Sequence, residues 1–89
     1  MRKLVNVVEV EEGLDTFLGE KILVMCNNYH YSGTLSGVND IFIKLDNASI
    51  VYETGPWTDS KFKDAQSLGA EPHYLMIGHI EGFRLDPRS

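Results

Sequence analysis

Few residues of this chain are of a type and at a spacing that could do chemistry. Ser36 in "GTLSG" sits among glycines, but the stretch lacks the spacing of a nucleophile elbow and reads as strand on both sides. His30, His73 and His79 are not at ligand spacing, and Cys26, the only cysteine, has no second thiol to join it, so no zinc set can be written. Neither a phosphate loop nor a dinucleotide fingerprint occurs. "NAS" at Asn47 matches a glycosylation acceptor only formally. No nucleophile and no acid and base pair can be assembled, so the chain is read as non-catalytic, with no metal and no cofactor. What remains is hydrogen-bonding chemistry: Asn39 donates and accepts at once, and neutral His79 does the same. The question is which elements hold these two side chains.

The chain has 89 residues, enough for one small domain, read here as a single unit over 1–89. A chain this short buries a modest core, so partner subunits are expected. The lone cysteine excludes an intramolecular disulfide, and nothing points to an oxidising compartment. A formal net charge of −5 argues against a broad phosphate-binding surface, so a nucleic-acid site would have to be small and local. "LVNVVEVEEG" is broken by Asn6, Glu9, Glu11 and Glu12, too polar for a signal segment, and no run reaches transmembrane length. A cytoplasmic protein without membrane partners is expected.

Residues 4–10 alternate loosely, as in a short strand. "GLDTFLGEK" places Asp15 as a helix N-cap, Leu14, Phe17 and Leu18 at helical spacing and Gly19 as the stop, which predicts one or two helical turns over 14–18. "KILVMC" is apolar at every second position on both faces, as in a strand covered on two sides. Asn27-Asn28 is a turn signal, and Asn tolerates the left-handed conformation. Beyond it, Tyr29, Tyr31, Gly33, Leu35 and Gly37 share one face. Glycine on a core-facing side permits a sharp bend or the close approach of another strand, as a small barrel requires. "IFIKLD" alternates again, and "DNAS" allows a bend, so 41–53 is one bent strand or two strands. Residues 54–72, with Gly55-Pro56, Gly69 and Pro72, read as a long loop outside the barrel. Trp57, Phe62 and Tyr74 are expected to pack it down. "HYLMIGHIEGFRLD" forms two short strands split at Gly78-His79, and "PRS" reads as a frayed end. The expected fold is mostly β, a short N-terminal helix followed by a five-stranded, strongly bent, partly open barrel.

"LGEKILVMCNNYHYSGTLSGVNDIFIKLDNASIVYE" resembles the first motif of the Sm-like family, the LSm and Hfq proteins. Gly33 matches its glycine, Leu35 the apolar position after it, Val38 the hydrophobe before the loop, and Asn39 the family's usual Asp. Asp40, Ile41, Ile43 and Leu45 follow at the spacing of the Hfq branch. "YLMIGHIEGF" resembles the second motif, with Gly78 at its glycine or His79 at the histidine of Hfq's Tyr-Lys-His turn. The resemblance covers 14–53 and 73–85.

It implies an Sm-like or SH3-like barrel in a homo-oligomeric ring, of roughly six or seven subunits, that binds single-stranded RNA at its pore. The implied RNA-binding residues are Asn39, Asp40, Ile41, Gly78 and His79. Asn39 and His79 would meet base edges, an apolar side chain would cover the base face, and Asp40 would turn phosphate away. The chain departs from the family at three points: Asn39 is not acidic, Ile41 is not aromatic, and Ile77 replaces the basic residue before Gly78. These departures, with the acidity, favour the alternative of a ring-forming protein-interaction or assembly module without RNA binding.

Overall fold

Period-two alternation of large apolar side chains dominates the chain from Lys21 onward, and the result is one antiparallel sheet. The computed structural model describes residues 13–88, and the strand expected at 4–10 lies outside them. The strands are β1 (Lys21–Cys26), β2 (His30–Val38), β3 (Phe42–Glu53), β4 (Asp64–Ser67), β5 (His73–Met76) and β6 (Ile80–Leu85). Their order is β4-β3-β2-β1-β6, with β5 pairing β3 off that path. β3 therefore carries two partners along its length: β5 opposite Phe42 to Leu45 and β4 opposite Ser49 to Glu53. Among the described residues the path does not close on itself: the sheet has six strands, where a five-stranded, partly open barrel was expected.

The strand covered on two sides is β1. Ile22, Val24 and Cys26 enter the main core with Leu35, Ile43, Leu45, Ala48 and Leu75. Leu23 points the other way, into a smaller cluster with Val51 and Phe62. Leu14 and Phe17 pack against the main core. They belong to a single 3-10 turn, Leu14–Phe17, in place of the expected helix. Gly13 stands at its N-cap, so Asp15 does not cap it; Thr16 Oγ1 donates to Gly13 O at 2.7 Å. So short a segment cannot sustain α-helical bonding without tertiary support. Gly19 ends it, at φ 86.

The irregularities in the sheet fall where β2 and β3 pair. β3 is one strand of 12 residues, with Asn47 at φ 51 and a register shift opposite it between Ser32 and Thr34. A Cβ on Gly33 would lie 3.1 Å from both Asp46 O and Leu45 Cβ, so only glycine lets the strands approach this closely. At Gly37 a Cβ would meet Lys44 Cβ at 3.4 Å, an ordinary contact, and the second register shift lies beside it. Among the described residues Asn47 alone combines a side chain with positive φ. The left-handed asparagine is thus inside a strand and not in the Asn27-Asn28 turn.

Two expectations about the last third of the chain are corrected. Residues 54–72 are not all loop, since β4 joins the sheet there. All four of its residues are exposed, so an edge strand with no buried face left no alternation to read. In the stretch expected to fray, Arg88 is packed down instead, 5% exposed like Asp86 before it, while Ser89 lies outside the described residues. No described helix is long and apolar enough to cross a membrane.

Candidate functional site

Asn39 spends its acceptor on its own turn. Its Oδ1 accepts from Ile41 N at 2.7 Å and Phe42 N at 2.8 Å, while Asn39 N donates to Phe42 O at 3.0 Å. This is the side-chain mimicry of a backbone turn that makes Asn common in such loops. The turn holds Asp40 and Ile41 out in solvent, Ile41 at 60% exposure.

Ile77 reaches this loop from the far end of the chain. Its N donates to Ile41 O at 2.8 Å, continuing the β3 and β5 pairing that sets Phe42 opposite Met76. The connection between β5 and β6 is a 3-10 turn, Ile77–His79. It brings Ile77 to Ile41 and turns His79 toward the other hairpin. Asn27 N donates to His79 O at 3.2 Å, and Asn27 Nδ2 lies 3.4 Å from His79 Nδ1, a contact in which Asn27 donates when the neutral ring carries its proton on Nε2. Of the five residues named from the resemblance, Asn39, Asp40 and Ile41 form one loop. Gly78 and His79 form the adjoining turn, and the hydrogen-bonding partner of His79 is Asn27, not Asn39. Gly78 is exposed with nothing within 4 Å of a Cβ built on it, so space does not demand glycine there.

Beside His79 opens a cleft of ≈ 420 Å³, lined in part by Asn27, Tyr29, Tyr31, His73, Tyr74 and His79. Tyr31 stacks on His73 with ring centroids 5.1 Å apart and planes 23° from parallel. Tyr74 meets Phe42 edge-on at 5.3 Å, and Tyr29 meets Tyr52 edge-on at 5.6 Å. Burial, and then the neighbouring Cys26, Tyr29 and Tyr52, pushes the Tyr31 phenol up. Burial, with Glu81 second, does the same to the Cys26 thiol, so Cys26 is no ready nucleophile. None of the described residues lining the cleft is Lys or Arg. The cleft offers planar apolar surfaces rimmed by neutral hydrogen-bonding groups, the chemistry that suits a heterocycle better than a phosphate.

Sequence reasoning missed Tyr29, Tyr31, His73 and Tyr74 as one group. The tyrosines alternate with polar residues on a core-type face, and His73-Tyr74 follows a loop and was separated from them by forty residues of chain. The Tyr-x-Tyr spacing was the available signal, but its partners are set by β5 returning to the other side of β3. No three His, Cys, Asp or Glu side chains converge on a metal-sized site among the described residues. The chain matches no protein-family model and no curated protein sequence.

Proposed function

We propose that the chain is an Sm-like ring subunit, each protomer a partly open barrel, that binds single-stranded RNA without catalysis. The observation that carries the reading is that two of the sheet's unfilled edges, unlike that of β4, are flanked by large apolar side chains. Among the described residues β5 pairs with β3 alone and β6 with β1 alone. β5 exposes Tyr74 and Met76, and β6 exposes Phe83 and Leu85. Unpaired edges flanked by large apolar side chains are templates for another strand. Joining β5 of one copy to β6 of the next is a head-to-tail contact, which closes into a ring when the rotation permits. The Sm-like resemblance implies that pairing.

RNA binding is supported by what repetition would place around such a ring. Each subunit offers Ile41 as an exposed apolar cover, His79 and Asn27 as neutral hydrogen-bonding groups, and the aromatic cleft next to them. Contacts that are weak singly gain by multiplicity along one strand of RNA. With a net charge of −5, few phosphates would be neutralised, so the salt dependence should be shallow.

A second reading, an assembly module without RNA binding, is favoured by the engagement of Asn39 Oδ1 within its own turn. Light scattering followed by titration of labelled oligo-U and oligo-A at about 50 mM salt separates the readings. The RNA reading expects an oligomer that binds weakly, and expects His79→Ala to weaken binding by about 1 kcal/mol per site with the oligomer intact, the scale of one lost hydrogen bond. An oligomer that binds neither strand is the assembly module. A monomer at micromolar concentration removes both.

A further inference from the structure

β6 is followed by a compact polar knot that neither the edge pairing nor the RNA reading uses. The Asp86 carboxylate accepts from Arg88 Nη2 at 2.8 Å, from Arg88 Nε at 2.9 and 3.2 Å, and from Arg88 N at 3.2 Å. The same guanidinium crosses to the loop after β3, where Nη1 donates to Thr54 O at 3.1 Å and Pro56 O at 3.2 Å. It also lies 4.5 Å from the Phe62 ring centre and 5.1 Å from that of Trp57. Arg84, on β6, covers the Trp57 ring at 5.0 Å. Phe62 in turn completes the small cluster with Leu23 and Val51. Asp86 N donates to Lys21 O at 3.1 Å, so the knot also fastens the end of β6 to the start of β1.

We propose that Asp86–Arg88 is a latch that holds the 54–63 loop against the outer face of the sheet and, through the same contacts, holds the end of β6 in place for self-association. Among the described residues, little besides the burial of Phe62 secures the loop otherwise. Its base carries one backbone bond, Lys63 N to Thr54 O at 3.4 Å, and one solvent-exposed ion pair, Lys63 to Glu53, of a kind that contributes little. A planar guanidinium that grips a carboxylate with its Nε and Nη2 edge and two carbonyls with Nη1 is a geometric fastener that an ammonium cannot copy. Once released, the loop uncovers Phe62, Val51 and Leu23, and the chain past Leu85 loses its anchor. The assembly half of the proposal rests on the ring reading above; the loop half does not.

The chain carries a single tryptophan, and it lies in the latch, so its emission reports the loop directly while light scattering reports assembly. Arg88→Ala should move Trp57 emission to longer wavelength, raise its quenching by acrylamide, leave the far-UV β signal in place, and raise the concentration at which the oligomer dissociates by about tenfold or more. Arg88→Lys should fall between Arg88→Ala and wild type in both readings. Unchanged emission in Arg88→Ala overturns the latch. Shifted emission with unchanged dissociation overturns its link to β6. A wild type that is monomeric is the failure of the ring reading, and it removes the assembly half, with emission then deciding the loop half. Should Arg88→Ala not fold, acid titration of wild type decides. Arg88 hydrogen bonds, with Arg84 adding to them, hold the Asp86 carboxyl below the usual carboxylate range, and Asp59 faces Arg88 from the loop. The latch is therefore complete above the ordinary carboxylate range and lost as pH falls through the lowered value. Emission that changes before the far-UV signal as pH falls supports a separate latch; coincident transitions overturn it.

Discussion

The two faces of β1 are held by different physics. Toward the inside, Ile22, Val24 and Cys26 meet residues from β2, β3 and β5, all apolar side chains that strand alternation turns to this face. Toward the outside, Leu23 clusters among the described residues with Val51 and Phe62, and a loop and the segment after β6 cover them. The inner core excludes water by the number of apolar neighbours. The outer cluster excludes it through hydrogen bonds that Arg88 makes to Asp86, Thr54 and Pro56. One face is the driving force for folding; the other is a finished surface laid over it.

The sharpest break of this comparison is Leu45→Ala. Leu45 is fully buried in the inner core, between strands that cannot close a void, so the cost should lie near the upper part of the usual range, about 4 kcal/mol. Denaturant unfolding followed by far-UV signal measures it, and a cost no larger than that of the outer cluster would erase the distinction between the faces.

Phe62→Ala should cost less despite the larger side chain. A loop that can settle onto the sheet fills part of the void, so about 2 kcal/mol is expected where a fully enclosed phenylalanine costs roughly 3–5. Trp57 emission should shift in the same variant, because the ring that Arg88 covers is gone. A full-scale loss with no change in emission would mean that the loop is part of the inner core and not a cover.

The smallest effect is expected at Asn39→Ala, which removes two hydrogen bonds to Ile41 N and Phe42 N in a solvent-exposed turn. Water can replace the lost acceptor, so the loss of stability should be at most about 1 kcal/mol. Loss of RNA affinity well beyond that seen in His79→Ala would place Asn39 at the base after all, through its unengaged Nδ2.

By itself the sequence determined the β class, the two-sided burial of β1, the turn stopped by Gly19, and the close strand approach permitted by Gly33. Each of these is written in local pattern, because side-chain period and glycine placement act on neighbours in the chain. It could not supply β4, whose four exposed residues have no buried face to betray them, nor the burial of Arg88, whose carbonyl partners lie more than thirty residues away at Thr54 and Pro56. The candidate site divides the same way. Asn39, Asp40 and Ile41 were legible as a turn, whereas the company of His79 was not. Only the return of β5 to β3 sets Tyr74 and His73 beside Tyr31, and only the 3-10 turn at Ile77–His79 sends His79 to Asn27. Alternation says which face a side chain takes; which other strand faces it is decided by long-range pairing, where the backbone bonds and buried area of the whole sheet outweigh any local preference.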